Sequence, residues 1–149
     1  MPLKIDLKPG DKIIINGAVL QNAGTNAKLL VHNDSAILRG KEIMTEDEVK
    51  TPAAHVYFAL QCAYMFPGKE AHYLNQFSKL AEEYLEASPS SAPLIAEILD
   101  AVQDNSLYKA LKTSQKLLDH EEKLMEAARQ SFSDEDDNAA SDGPNPRTP

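Results

Sequence analysis

The fold is decided by residues 7–44, which read LKPGDKIIINGAVLQNAGTNAKLLVHNDSAILRGKEIM. The run consists of short apolar segments separated by turn-forming residues. Residues 13–15 are three isoleucines, whose β-branched side chains suit a pleated strand. Asn16-Gly17 follows and favours a type I′ hairpin turn, because both central positions of that turn need a positive φ. The stretch therefore predicts short antiparallel strands.

Most of these strands are apolar along their whole length. Residues 13–15, 18–20, 29–31 and 36–38 do not alternate between apolar and polar side chains, which predicts burial on both faces. Residues 3–8 do alternate, as expected of a half-exposed strand. We expect a small antiparallel barrel or sandwich that is covered by helices or by a second subunit.

After Met44 the sequence changes to helical patterns. Residues 45–48 read TEDE and fit a capping box at the start of a short helix. Pro52 can open the next helix, which is apolar almost all round as far as Phe66 and is therefore expected to be buried. Three further helices are predicted over residues 69–87, 91–104 and 107–129, with Ser91 as the N-cap of the second.

The predicted fold class is α+β. A small antiparallel β-sheet or barrel unit over residues 1–44, the β unit, would pack against a helical unit over residues 45–129. Residues 130–149 are rich in Ser, Asp, Asn, Gly and Pro and contain few side chains to bury. Burial therefore cannot offset the entropy of ordering them, and a disordered acidic tail is predicted.

Charge is distributed unevenly along the chain. The net charge is −8, which by itself argues against a nucleic-acid partner. Residues 1–44 hold six basic and four acidic side chains, a net of +2, whereas residues 130–149 hold one basic and five acidic, a net of −4. The acidity thus lies mainly outside the predicted strands.

The sequence also indicates where in the cell the protein is found. No apolar run approaches the roughly 20 residues of a membrane span, and the first residues lack the apolar core of a signal peptide. Cys62 is the only cysteine and cannot form an internal disulfide, which suits a reducing compartment. A cytoplasmic protein with no membrane partner is expected.

Several segments resemble the FlbT family of flagellum biosynthesis repressors. In chain order they are MPLKIDLKPGDKIIINGAVLQN, AILRGKEIM, TPA and YKAL, and the resemblance runs from Met1 to about Glu126. It implies a post-transcriptional regulator that binds the 5′ untranslated region of flagellin mRNA and promotes its degradation. Flagellum assembly would thereby be regulated negatively.

The candidate RNA-binding residues lie in the β unit. Lys12, Lys28, Arg39 and Lys41 each stand at a strand end or turn, where a cation can reach a phosphate; charged protection of edge strands is the alternative. AILRGKEI also resembles the last strand of the carbon storage regulator, a small β-dimer that binds messenger leaders. Arg39 is the first choice, since arginine can pair bidentately or stack. His32 could stack on a base, although a half-exposed strand position is the commoner role.

No pattern indicates an enzyme, a metal site or a cofactor. A helical motif begins at His120 like that of a zinc protease, but Leu124 stands where the second histidine is needed. An acidic run begins at Asp134 like a calcium loop, but Asn145 stands where a bidentate glutamate is needed. Cys62 lies in the most apolar helix and is expected to be an inert core thiol.

Two functions therefore compete. The first is the leader-binding repressor implied by the resemblance, with flagellin mRNA as its partner. The second is a protein-binding adaptor or chaperone-like partner of flagellin or another flagellar regulator, with indirect effects on RNA. A homodimer remains open in either case. A continuous basic stripe across the β unit would favour the first function. Its absence would favour the second, for which the amphipathic helices could offer a partner groove.

Overall fold

The computed structural model describes the backbone of residues 2–142 and the side chains of residues 2–131. Its architecture confirms the predicted α+β class. The five strands are β1 Leu3–Leu7, β2 Lys12–Ile15, β3 Ala18–Gln21, β4 Ala27–Val31 and β5 Ile37–Arg39. The four α-helices are α1 Pro52–Met65, α2 Glu70–Ala87, α3 Ala92–Gln103 and α4 Leu107–Asp142.

The strands form two antiparallel sheets. One is the pair β1-β4, and the other has the order β3-β2-β5. The hairpin between β2 and β3 turns at Asn16 and Gly17, with φ of 51° and 87°, so the predicted turn is confirmed. Asn16 also secures the start of β5, because its backbone N–H donates to the Ala36 carbonyl and its side-chain oxygen accepts from the Ala36 N–H.

The two sheets enclose a small core of their own. Ile5, Leu7 and Ile13 are buried between them, with partly buried side chains of β2, β4 and β5 packed around. Ile14 points to the other face of β2 and joins the main core among the helices. Strand β2 is therefore buried on both faces, as its run of isoleucines predicts.

Strand β3 differs from that expectation. All four of its residues are exposed, and Val19 and Leu20 retain 64% and 46% of their accessible surface. Leu20 lies opposite Ile13 and Val19 opposite Ile14, so the two side chains occupy opposite faces of the sheet. The prediction of burial on both faces is wrong for β3, because β3 lies at the sheet edge beyond the cover of the other sheet and of the helices. It is also wrong for β4, where Leu30 retains 57% of its accessible surface and its neighbours are partly buried.

The helical unit is built around α1. Ten of its residues are buried, and the Thr51 side chain caps its first turn by accepting from the Ala54 N–H at 3.2 Å. Helices α2 and α4 pack against it, and α3 packs against α4. No helix within residues 2–142 combines the length and apolar character that crossing a bilayer requires.

Helix α4 continues beyond its predicted end near Arg129. Its backbone is helical to Asp142, which includes part of the segment expected to be a disordered tail. The prediction rested on the lack of side chains to bury, but no proline or glycine interrupts the sequence before Gly143, so local propensity permits the helix. Residues 143–149 of the predicted tail lie outside the described residues.

Two predicted helix starts have different local geometry. Thr45 and Glu48 do form reciprocal capping contacts, with the Thr45 N–H donating to Glu48 Oε1 at 2.8 Å, but they enclose a single 3-10 turn, Glu46–Glu48. Ser91 precedes α3 without capping it through its side chain, because its hydroxyl donates to the Ser88 carbonyl instead.

The two units are joined by specific contacts around residues 42–44. The Tyr57 hydroxyl donates to the Glu42 carbonyl at 2.6 Å. The Gln61 side chain bonds both the N–H and the carbonyl of Met44, at 2.8 and 2.9 Å. These bonds attach the chain that leaves β5 to helix α1.

Candidate nucleic-acid interface

Lys12 and Arg39 line the same depression at one end of the β unit. Lys12 begins β2 and Arg39 ends β5, and the register of these strands places Arg39 opposite Ile13, the neighbour of Lys12. Both side chains are exposed and line a depression of about 350 Å³. Its other lining residues are Asp6, Leu7, Asp11 and Gly40.

A second depression of about 280 Å³ adjoins the first and shares Asp6 and Leu7 with it. Lys28 lines it from β4, where the sheet register places Lys28 opposite Asp6. Lys8 lines it from the end of β1. The fold therefore brings Lys12, Lys28 and Arg39, which are far apart in sequence, to adjoining depressions.

Lys8 is a residue that the sequence analysis missed as a candidate. The signal was present, because Lys8 follows a strand and precedes the turn-forming Pro9-Gly10, just as the selected lysines stand at strand ends. Its backbone N–H donates to Asp11 Oδ2 at 2.9 Å, and its carbonyl accepts from the Asp11 N–H at 3.0 Å. This turn fixes the Asp11 carboxylate at the rim of the first depression.

The clustered cations are not engaged in close ion pairs. Among side chains 2–131, the two ion pairs within 4.0 Å are Lys112–Glu42 and Lys116–Glu97. Lys8, Lys12, Lys28 and Arg39 take part in neither. Asp6 and Asp11 weaken the local positive potential, but they leave the cationic groups free to contact a phosphate.

Arg39 is positioned by a glutamate that the sequence analysis also missed. Glu42 Oε1 accepts from the Arg39 N–H at 3.1 Å. The other carboxylate oxygen accepts from the Tyr108 hydroxyl and lies 3.4 Å from Lys112 Nζ, so Glu42 attaches the end of β5 to α4. The hydrogen bond to the Glu42 carboxylate is the largest cause that raises the pKa of Tyr108 to about 12, and burial is the second largest.

Lys41 and His32 occupy different surroundings. Lys41 is exposed in the 3-10 turn Gly40–Glu42, directly after Arg39, and lines neither depression. His32 is exposed just beyond the far end of β4, four residues from Lys28. At the rise of an extended chain this is about 13 Å, so the fold does not bring His32 to the other candidates.

The helical unit presents a contrasting surface, an apolar groove of about 270 Å³. The start of α1 and the C-terminal end of α2 form one side of this groove, and α4 forms the other. Leu124 and Met125 are exposed there at 45% and 41%. The groove is lined by Pro52, Tyr84, Ala87, Ser88, Glu121, Leu124, Met125 and Ala128. It adjoins a second depression, which Glu83 and His55 help to line.

The remaining chemically reactive groups do not form a site. Cys62 is buried as predicted, and this burial raises the pKa of its thiol. His120 is held between two hydroxyls, with Tyr84 Oη 3.3 Å from Nδ1 and Ser90 Oγ 3.2 Å from Nε2. In the part of the chain that the structure describes, no three His, Cys, Asp or Glu side chains converge as metal ligands would.

Comparison with known proteins places the chain in a family. A family model described as "Flagellar protein FlbT" matches residues 3–125. The chain belongs to the FlbT family. The match covers most of both units, including the clustered cations and the groove residues Glu121, Leu124 and Met125, and it ends before Ala128.

Curated relatives carry the same family name. The chain is 38% identical over 125 residues to the probable flagellum biosynthesis repressor protein FlbT 1 of Bradyrhizobium diazoefficiens, covering 83% of this chain and 85% of that relative. It is 35% identical over 127 residues to the flagellum biosynthesis repressor protein FlbT of Caulobacter vibrioides, covering 84% and 90%. A relative from Agrobacterium fabrum is 30% identical over 125 residues, covering 83% of each. No solved structure matches the chain.

Proposed function

We propose that this protein represses flagellar synthesis by binding the 5′ untranslated region of flagellin mRNA through its β unit and promoting degradation of that mRNA. Membership of a family whose relatives are named flagellum biosynthesis repressors supports the repressor role. The observation that carries the RNA contact is the convergence of Lys8, Lys12, Lys28 and Arg39 on adjoining depressions, with none of them in an ion pair within 4.0 Å among side chains 2–131.

Each cation has a role in this proposal. Lys8, Lys12 and Lys28 neutralise phosphates of a single-stranded leader, which gives affinity without reading sequence. Arg39 has a planar guanidinium beside a backbone held by Glu42, so it is suited to pair with or stack on an unpaired base. Lys41 lies in the 3-10 turn that follows β5 and supplies a flanking phosphate contact.

Salt dependence tests the phosphate contacts. About four contacts to single-stranded RNA predict a log–log slope of affinity against salt of roughly −3, at about −0.7 per contact. Replacing Lys12 or Lys28 with alanine should weaken binding to all RNAs alike and remove about one contact from the slope. Lys79→Ala is the matched control, because Lys79 is exposed on α2, away from both depressions. Fluorescence anisotropy with a flagellin leader and a scrambled leader provides the measurement.

Arg39→Ala tests base recognition separately. If Arg39 contacts a base, the variant should lose about 1–3 kcal/mol of binding energy and discriminate less between the two leaders. His32→Ala in the same assay shows whether the RNA path extends along β4 to the far end of the sheet. Equal slopes for Lys12→Ala, Lys28→Ala and Lys79→Ala would contradict the proposed interface, as would the absence of binding to either leader at low salt.

The apolar groove favours a second candidate function, that of an adaptor for flagellin or another flagellar regulator. An apolar helix with basic flanks would suit it, since Leu124 and Met125 are exposed beside Glu121 and Glu83. Leu124→Glu should abolish co-purification of such a partner. Leu99→Glu is the matched control, because Leu99 is also an exposed leucine but lies on α3. If both variants retain the partner equally, the groove is not its binding site.

A further inference from the structure

The outer edge of β3 combines exposure with an absence of charge. Each sheet has two edges, formed by β1 and β4 in one sheet and by β3 and β5 in the other. Natural proteins commonly protect such edges with charged side chains. Among these four strands β3, which reads AVLQ, is the one without a charged residue; β1 has Lys4 and Asp6, β4 has Lys28 and β5 ends in Arg39.

The hairpin geometry shows which backbone groups of β3 are open. A type I′ turn at Asn16-Gly17 makes Ile15 and Ala18 a hydrogen-bonded pair. Hydrogen-bonded pairs alternate along an antiparallel ladder, so Leu20 also bonds to β2. Two residues further on, Asn22 bonds to Gly10 and Asp11, which directly precede β2. The N–H and carbonyl groups of Val19 and Gln21 consequently point outward, away from β2.

We propose that β3 pairs antiparallel with β3 of a second copy of this chain, about a two-fold axis at Leu20. A two-fold axis perpendicular to the sheet places one residue of an antiparallel pair opposite its own copy. An axis at Leu20 is the choice that lets the outward groups of both Val19 and Gln21 bond within the paired strands. Val19 then lies opposite Gln21 of the second copy, and their outward backbone groups exchange hydrogen bonds on either side of the axis. The result is one six-stranded sheet with β3 at its centre.

Self-complementarity argues for a second copy as the occupant. Antiparallel pairing brings no like charges together, because β3 carries none, and it places Leu20 against an identical apolar side chain. Pairing also extends the sheet past the uncovered Val19 and Leu20, so it supplies the neighbours that each copy lacks on both faces. The inference is independent of RNA binding, since none of the clustered cations lies on β3.

Charge placed on the edge tests the pairing in solution. Molar mass measured by light scattering across the micromolar range should show the wild-type full chain approaching a dimer as concentration rises. Leu20→Lys should remain a monomer throughout, with unchanged circular dichroism. Leu30→Lys is the matched control, because Leu30 is 57% exposed on β4 and should leave the dimer intact. A wild-type chain that is monomeric at every concentration, or equal loss of the dimer in both variants, would overturn the proposal in favour of another occupant.

Cysteine cross-linking tests the register. Opposed Leu20 residues form a non-hydrogen-bonded pair with Cα atoms about 4.5 Å apart, within the range of a disulfide. Leu20→Cys should therefore yield a covalent dimer under mild oxidation. Val19→Cys should cross-link at least tenfold more slowly, because the two copies of Val19 are diagonal neighbours about 7–8 Å apart. The native chain, whose only thiol is the buried Cys62, is the baseline. Equal rates for the two variants, or faster cross-linking of Val19→Cys, would refute pairing about Leu20.

Discussion

The β unit and the helical unit expose surfaces of opposite character. At one end of the β unit, Lys12, Lys28 and Arg39 line adjoining depressions. On the helical unit, Leu124 and Met125 lie in an apolar groove beside Glu121. The first surface is suited to an anionic polymer and the second to an apolar segment of a protein.

Net charge alone is therefore a poor guide to which partners this chain can bind. The value of −8 is the sum of a weakly basic β unit and strongly acidic segments elsewhere. An RNA strand responds to the local field within about one Debye length, roughly 8–10 Å at physiological salt. A chain of this composition can therefore present one surface for each class of partner.

The largest expected effect tests whether the two units are stable only together. A Cβ built on Gly17 would lie 2.9 Å from Phe66 Cε1 and 3.3 Å from the Met65 carbonyl oxygen, and Gly17 has a φ of +87°. Gly17→Val should therefore lower the free energy of unfolding by about 3 kcal/mol, from backbone strain plus the steric clash. Denaturant unfolding should show one transition if the β unit and the helical unit unfold as a single cooperative body.

Gly10→Val is the control for that substitution. Gly10 has a φ of +85°, but a Cβ there would meet nothing within 4 Å. The variant should lose only the strain of a left-handed residue, about 1–2 kcal/mol. Equal losses at Gly10 and Gly17 would show that Phe66 moves aside at no cost and that Gly17 is not tightly packed against the helical unit.

A smaller effect is expected from Glu42→Ala, which removes the carboxylate between Arg39, Tyr108 and Lys112. The variant should lose about 2 kcal/mol of unfolding free energy, because hydrogen bonds to charged groups contribute about that much. Glu97→Ala is the matched control, since it breaks an exposed ion pair worth at most about 1 kcal/mol. Leader binding should weaken in Glu42→Ala alone, and unchanged binding would show that Glu42 does not position Arg39.

The pKa of Tyr108 reports on its hydrogen bond with Glu42 at high pH. Its folded value of about 12 lies above the ordinary value of 10.0, so this contact stabilises the fold fully below pH 10 and is lost as pH rises through 12. In an ultraviolet titration, Glu42→Gln should lower the pKa of Tyr108 towards 10. A smaller fall is expected for Tyr57, whose pKa is raised mainly by burial and to a lesser degree by the Glu42 charge. Tyr84, whose pKa burial raises to about 12, should not move. Identical titration curves for the variant and the wild type would contradict the assignment.

The smallest effect is expected from truncation after Ser131. The removed residues contain Phe132 as their one large apolar side chain, so the melting temperature should stay nearly unchanged. Leader affinity should rise slightly at low salt, because a net charge of −4 is removed, and this rise should vanish at high salt. A fall of several degrees in the melting temperature would show that the removed segment packs against the fold.

Local features were predictable because neighbouring residues decide them. Asn16-Gly17 can adopt two successive positive φ angles, so the hairpin followed directly. Pro52 can start a helix through its fixed φ, and the apolar residues after it place that helix in the core; the cap by Thr51 appeared only in the structure. The family resemblance was likewise visible in short segments and is confirmed over residues 3–125.

The amino-acid sequence was thus enough to predict the order of strands and helices, the hairpin turn, the buried helix and the family. Tertiary structure was needed to bring Lys12, Lys28 and Arg39 to one surface and to hold His32 apart, because strand pairing and register set those distances. It also decided the role of Glu42, whose partners Tyr108 and Lys112 are 66 and 70 residues away. Strand β3 shows the same limit: its apolar residues predict burial, but whether another element covers an edge strand depends on where the rest of the chain packs.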